Sequence, residues 1–338
     1  MSLPAAQFYP NSRANATRNP QGQPYGSYNL QGPPSSGPPG YPSAAAPYGT
    51  APTASLANEQ QIASYRKILG STIQDKQLHY MYPQEKFERI VQELAKIGPG
   101  AVQDIMKEWN LSPEVAMDLI KLSLFDIILY VDDSGSMEFE KAIHQQLKEI
   151  LALVAYAASK FDPDGISVRI MNSMVPGDNI RTKADAEALM ARVRFQGLTP
   201  IGTNLKSKVL EPLVVAPARL GRLQKPVLVI TLIHGPPAGE PPGSVANAIR
   251  YAVDELAPTQ YGRGAVSFQF SQAGNDLHAR EFISKLAEDP NVGQFIDCKS
   301  SMYFAPAPTG GCVSLMTRNV QILRSRKTRC PALLPPLI

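Results

Sequence analysis

Asp132, Ser134 and Ser136 form the spacing in this 338-residue chain that most suggests chemistry: three oxygen-bearing side chains two residues apart in Asp132-Asp133-Ser134-Gly135-Ser136. Small oxygen ligands at alternate positions of a tight loop can converge on one point, and hard divalent cations such as Mg²⁺ take oxygens at octahedral angles. The context sharpens the pattern. The motif follows the continuous apolar run Leu124–Val131 and leads into a helical stripe of Ile143, Leu147, Ile150, Leu151, Val154 and Ala158. A loop at the carboxyl end of a buried strand is where open α/β sheets bind ligands. Other catalytic signatures are missing from the sequence: no G-x-S-x-G elbow, no Walker A loop and no H-E-x-x-H helix. His79, His144 and His278 fall on separate elements and pair into no metal cluster.

The elements that must position the motif read as alternating strands and helices. After Leu124–Val131 come a strand at Ile166–Met171, a turn at Pro176-Gly177-Asp178-Asn179 and a helix around Lys183–Val193. A loop to Thr203 and another helical segment follow, then a strand at Val227–Ile233 and a helix marked by Val245, Ile249, Ala252, Val253 and Leu256. Val266–Phe270, a helix with Phe282, Ile283 and Leu286, and Gln294–Asp297 close the series. Near-continuous apolar strands joined by helices predict a doubly wound, mostly parallel α/β sheet covered on both faces.

Ahead of it, residues 58–121 predict a small helical module of four helices. Ile62, Tyr65, Ile68, Leu69 and Ile73 make one apolar stripe. Pro83 opens a second helix that Gly98-Pro99-Gly100 ends, a third holds Val102 to Trp109, and Ser112-Pro113 caps a fourth. Its expected role is to pack against the following domain.

The ends have another texture. Residues 1–57 hold eleven of the 31 prolines before residue 53 and no Asp, Glu or Lys, a composition that buries too little apolar surface to order the chain. Pro38-Pro39-Gly40-Tyr41 there has the PPxY form that WW domains grip, with plain linker as the alternative. Residues 301–338 are basic, with a possible last amphipathic helix on Val313, Met316, Val320 and Leu323 and a frayed end. Both tails are basic, which leaves residues 59–299 at about −3 of the chain's +4. A nucleic-acid footprint would sit on the folded domain, so none is indicated. No apolar run approaches the ~20 residues of a membrane span. There is no secretory signal, and Cys298, Cys312 and Cys330 form no metal knuckle, which predicts a cytoplasmic protein.

From its motifs the chain resembles the von Willebrand factor type A (VWFA) domain with its metal-ion-dependent adhesion site, over residues 122–300. The residues that carry the resemblance are Leu129 to Met137, Thr199-Pro200-Ile201-Gly202-Thr203-Asn204-Leu205 and the segment around Gly235. Fungal intracellular VWFA proteins, with a helical segment before the first strand, look most similar. The resemblance implies a Mg²⁺ or Mn²⁺ ion held directly by Ser134 and Ser136. Thr203 would join directly or through water, and Asp132 through water while accepting hydrogen bonds. One position would be left for an acidic side chain of a partner protein. The chain departs from the family at its fourth-strand Thr-Asp-Gly, where His234 takes the aspartate's place. Imidazole suits manganese or zinc better than magnesium. His234 is thus a bystander, a mark of a site without metal, or a ligand that changes the metal. The function expected is a non-enzymatic protein-interaction module. The alternatives are a metal-free scaffold working through the helical module and tails, and a metal-dependent hydrolase using Asp132 or Asp133.

Overall fold

The computed structural model describes residues 56–298 apart from Phe139. The PPxY motif, the tails at 1–55 and 301–338, and Cys312 and Cys330 lie outside the described residues.

Six strands form one sheet in the order β3-β2-β1-β4-β5-β6: β1 (Asp126–Val131), β2 (Ile166–Ile170), β3 (Gly177–Ile180), β4 (Val227–Ile233), β5 (Val266–Gln272) and β6 (Ile296–Cys298). All neighbours are parallel except β2 and β3. Every residue of β4 and β5 is buried, as expected of central parallel strands covered on both faces. The α/β prediction therefore holds, with one correction. The sequence predicts a turn at Pro176-Gly177-Asp178-Asn179, but Gly177–Ile180 pair antiparallel with β2 as a short edge strand. Four residues rich in Gly, Asp and Asn read as punctuation, yet the pairing needs only backbone groups.

The order of strands puts β1 between β2 and β4, so the chain leaves β1 toward one side and returns to its other side later. That reversal is the topological switch point, at the carboxyl ends of β1 and β4, where open α/β sheets generally bind ligands. The helices between the strands are α4 (Lys141–Phe161), α5 (Lys183–Met190), α8 (Ser244–Leu256) and α9 (Leu277–Glu288). Between β3 and β4 runs a further helical stretch made of α6 (Ile201–Asn204), a π-helical segment (Leu205–Val215) containing Pro212, and α7 (Ala216–Arg219). Proline inside a helix cannot donate its i→i−4 bond, and a widened π-type turn is one way to absorb that loss.

The helical segment before β1 has three α-helices: α1 (Glu59–Lys76), α2 (Gln84–Trp109) and α3 (Pro113–Asp118), followed by a 3₁₀ turn (Leu119–Leu124). Asn58 and Gln61 make the capping box of α1. Ser112 adopts the extended backbone of a cap without a side-chain cap bond. The expected break at Gly98-Pro99-Gly100 does not occur; α2 runs through it. Pro99 cannot bond the carbonyl of Ala95, and the Ala57 N–H, from the chain entering α1, donates to that oxygen instead (2.8 Å). At Gly98 a Cβ would come within 2.9 Å of the Tyr65 hydroxyl, so the glycine lets α1 approach closely rather than ending α2.

One continuous apolar core joins this segment to the sheet, from Tyr65 and Trp109 through Phe125 to Phe268 and Phe270. Polar links reinforce it. The Tyr82 hydroxyl donates to the Leu124 carbonyl, Lys86 Nζ donates to the Gln224 carbonyl (2.7 Å), and Lys160 pairs with Asp104 (2.6 Å). No helix among the described residues is long and apolar enough to cross a membrane.

Candidate functional site

The β1 run ends in three buried polar residues: Asp132 and Asp133 are 1% exposed and Ser134 is 2% exposed. Buried carboxylates persist only when donors satisfy them. Asp132 accepts from the Ser134 N–H (2.9 Å) and, with its other oxygen, from the His234 N–H (3.1 Å). It thereby ties the end of β1 to the end of β4 across the switch point. Asp133 points to the other neighbour and accepts from the Asn172 N–H (2.6 Å), the Asn172 amide (2.9 Å) and the Ser173 N–H (2.9 Å) just past β2. Burial holds the Asp133 carboxyl above the usual range, against the pull of those donors.

With Asp132 turning the chain, Ser134 and Ser136 stand together, their Oγ atoms 3.2 Å apart. Two adjacent ligands of an octahedral cation with bonds of ~2.1 Å lie about 3 Å from each other. The serine pair already has that spacing. Ser136 is exposed and Ser134 buried, so the pair spans the rim from inside to outside.

Thr203 sits on α6, held to β1 by the Tyr130 hydroxyl, which donates to the Ile201 carbonyl (3.2 Å). Its own bonds go to Glu240: its N–H (2.7 Å) and hydroxyl (2.9 Å) both donate to Glu240 Oε2, while the Gly202 N–H donates to Oε1 (3.0 Å). Glu240 reaches there because the loop after β4 is bound to the loop before α6 by reciprocal backbone bonds between Thr199 and Ala238 (3.1 and 2.9 Å). Gly239 follows with φ of +78°, a conformation that glycine adopts without strain. The fully buried Tyr130 registers the arrangement. Burial first, then the charges of Asp132, Glu240 and Asp133, hold its hydroxyl's ionisation well above the tyrosine range.

The His234 ring has a polar neighbour at each nitrogen. Nδ1 meets the Ala273 carbonyl (3.1 Å) and Nε2 meets Glu140 Oε1 (3.1 Å), and the ring packs on Gly274. Both nitrogens therefore face oxygens of neighbouring groups, a backbone carbonyl and a carboxylate. The contribution of His234 to the rim is its backbone N–H on Asp132. Among the described residues no three His, Cys, Asp or Glu side chains are grouped to hold a metal ion.

Two residues of this region escaped the sequence reading. Glu240 is one; it lies seven positions past the strand end, and no local spacing ties it to Thr203. Lys208 is the other. Its ammonium donates to four successive carbonyls, Ile170 (3.2 Å), Met171 (2.7 Å), Asn172 (3.1 Å) and Ser173 (3.1 Å), gripping the turn whose amides hold Asp133. Burial lowers its pKa, opposed by the charge of Asp133.

No family model matches the chain, and no curated protein does. Solved structures do. Proximal thread matrix protein 1 from the mussel byssus is 18% identical with a TM-score of 0.37, over 59% of this chain and 46% of that one. A von Willebrand factor type A protein from Catenulispora acidiphila is 14% identical with a TM-score of 0.35, over 58% and 42%. The matched region is less than half the length of either. In this chain the hydroxyl rim lies at the strand ends of the doubly wound sheet, at the switch point between β1 and β4.

Proposed function

We propose that the chain is a non-enzymatic protein-interaction module whose rim binds one divalent cation, Mg²⁺ or Mn²⁺, through Ser134, Ser136 and Thr203. The observation that carries this reading is the 3.2 Å separation of the two serine hydroxyls beside a carboxylate, Asp132, each of whose oxygens accepts a backbone N–H. A cation held mainly by neutral hydroxyls keeps most of its positive charge, so it would attract an acidic side chain of a partner protein. The two serines fit such an ion by donor type and by spacing, and Thr203 by donor type. When bound, the cation would supply electrostatic grip; the chain's residues supply its position. The test is calorimetry of the full chain with Mn²⁺ and Mg²⁺. Millimolar or tighter binding that disappears in Ser134→Ala/Ser136→Ala supports the module, and unchanged binding in that double variant overturns it.

A metal-free scaffold is the second reading. The engagement of both ring nitrogens of His234 favours it, since the end of β4 then contributes no side-chain oxygen to the rim. Absence of Mn²⁺ or Mg²⁺ binding by the wild-type chain selects this reading.

A further inference from the structure

We infer that Glu240 is the positioning acid of this rim, acting on a bound cation through the Thr203 hydroxyl and supplying the charge that the end of β4 lacks. The inference rests on the cation-binding reading above and adds a residue to it. Four other acids stand near the strand ends or the His234 ring, and the structure shows how most of them are occupied. Both oxygens of Asp132 accept backbone N–H groups, from Ser134 and His234. Both oxygens of Asp133 are taken by Asn172 and Ser173. Glu140, half exposed, faces the His234 ring. Glu138 is exposed. Glu240 alone bonds the hydroxyl of a candidate ligand, and it does so with an oxygen that also accepts the Thr203 N–H.

That geometry has a chemical consequence. A hydroxyl has one proton and two lone pairs. Because Thr203 gives its proton to a carboxylate, both lone pairs stay available for a cation, and the charged acceptor makes the oxygen a stronger donor to it. An outer carboxylate that orients a ligand and raises its basicity is a general device of metal sites, and loss of such a partner typically weakens metal affinity 10- to 100-fold. Glu240 also shares the electrostatic neighbourhood of the rim, since its charge acts on the buried Tyr130 hydroxyl together with those of Asp132 and Asp133. One divalent ion beside Asp132 and Glu240 then meets two carboxylates without a contribution from position 234.

The experiment is Mn²⁺ calorimetry on the full-length wild type, Glu240→Gln, Thr203→Val, the double variant and Ser134→Ala/Ser136→Ala, with the Mn²⁺-induced rise in Tm as a second readout. Glu240→Gln and Thr203→Val are each expected to raise Kd tenfold or more. The double variant should be no worse than Thr203→Val, because the acid works through that hydroxyl. Thr203→Ser, which keeps the hydroxyl, should bind like wild type. A Glu240 that merely caps the start of α6 would change Tm without cation and leave the Mn²⁺ Kd within twofold of wild type; that result overturns the inference. If Glu240→Gln does not fold, Glu240→Asp takes its place, with weakening expected from its shorter reach and wild-type affinity counting against the role. The two readings fail separately. Wild-type protein that binds no cation removes both, whereas binding that needs the serine pair but not Glu240 removes only this one.

Discussion

The ends of β1 and β4 lie side by side in one sheet, and they are built on different principles. At the end of β1, two buried carboxylates collect five hydrogen bonds from backbone and amide donors, and the loop they shape carries the serine pair. At the end of β4, a partly buried imidazole meets a backbone carbonyl and a half-exposed acid. The contrast shows which half of the rim is set by the fold itself. Buried acceptors must be filled in any folded molecule, so the β1 loop is held in shape whether or not a ligand is present. The β4 end enters that network only through the His234 backbone N–H.

Removing the acceptor that joins the two ends is expected to do the most damage. Asp132→Ala leaves the N–H groups of Ser134 and His234 without their charged partner, and such bonds contribute about 1.5–3 kcal/mol each. We expect a loss of about 3 kcal/mol in denaturant unfolding, equivalent to a fall in Tm of about 6–12 °C for a domain of this size. A loss below about 1 kcal/mol would mean that the β1 end is not set by Asp132.

Lys208→Met tests the same half one layer further out. The substitution keeps an unbranched apolar stem and removes an ammonium shared by four carbonyls. We expect about 2 kcal/mol of destabilisation, with faster amide exchange concentrated at Asn172 and Ser173, whose N–H groups serve Asp133. Uniform exchange over the sheet would show that the lysine holds the fold and not the turn.

The same contrast explains how far the sequence could be read. β4 was legible because burial on both faces writes a nearly continuous apolar run, found at its predicted limits, whereas β5 alternates Val266, Phe268 and Phe270 with Ser267 and Gln269 and extends two residues past its predicted end. The Asp132–Ser136 loop was legible because its residues are adjacent in the chain. Glu240 and Lys208 were not, since each meets its partner across a separation of more than thirty residues and on a different element. The uninterrupted α2 was illegible for a related reason. Gly98-Pro99-Gly100 is locally a stop, and what overrides it is a donor from Ala57 and the close approach of Tyr65.

His234→Asp turns the comparison round by putting an acid at the end of β4. Its carboxylate would stand beside Asp132, and two charges ~5 Å apart repel by about 3 kcal/mol at an effective dielectric near 20. Access to water reduces this, so we expect a loss of about 1–2 kcal/mol in chelator. Added Mg²⁺ should close most of the gap if the rim holds a cation, as read from Tm with and without the metal. A deficit that Mg²⁺ does not touch would mean that the two ends do not share an ion.

The smallest effect is expected from Glu140→Gln, which leaves the β1 end untouched and alters only what the His234 ring meets. Glu140 is about half exposed and the contact is a single 3.1 Å approach to Nε2. Exposed pairs of this kind are worth at most about 1 kcal/mol and fade with salt. Glutamine keeps a carbonyl and adds an amide, so the ring retains a polar neighbour while losing the charge. Denaturant unfolding at low and at high ionic strength should therefore give a wild-type to variant difference of about 0.5 kcal/mol that shrinks as salt is added. If instead the difference exceeds about 2 kcal/mol and ignores salt, the ring is part of a buried network as firm as the one around Asp132. The end of β4 would then be set by the fold in the same sense as the end of β1.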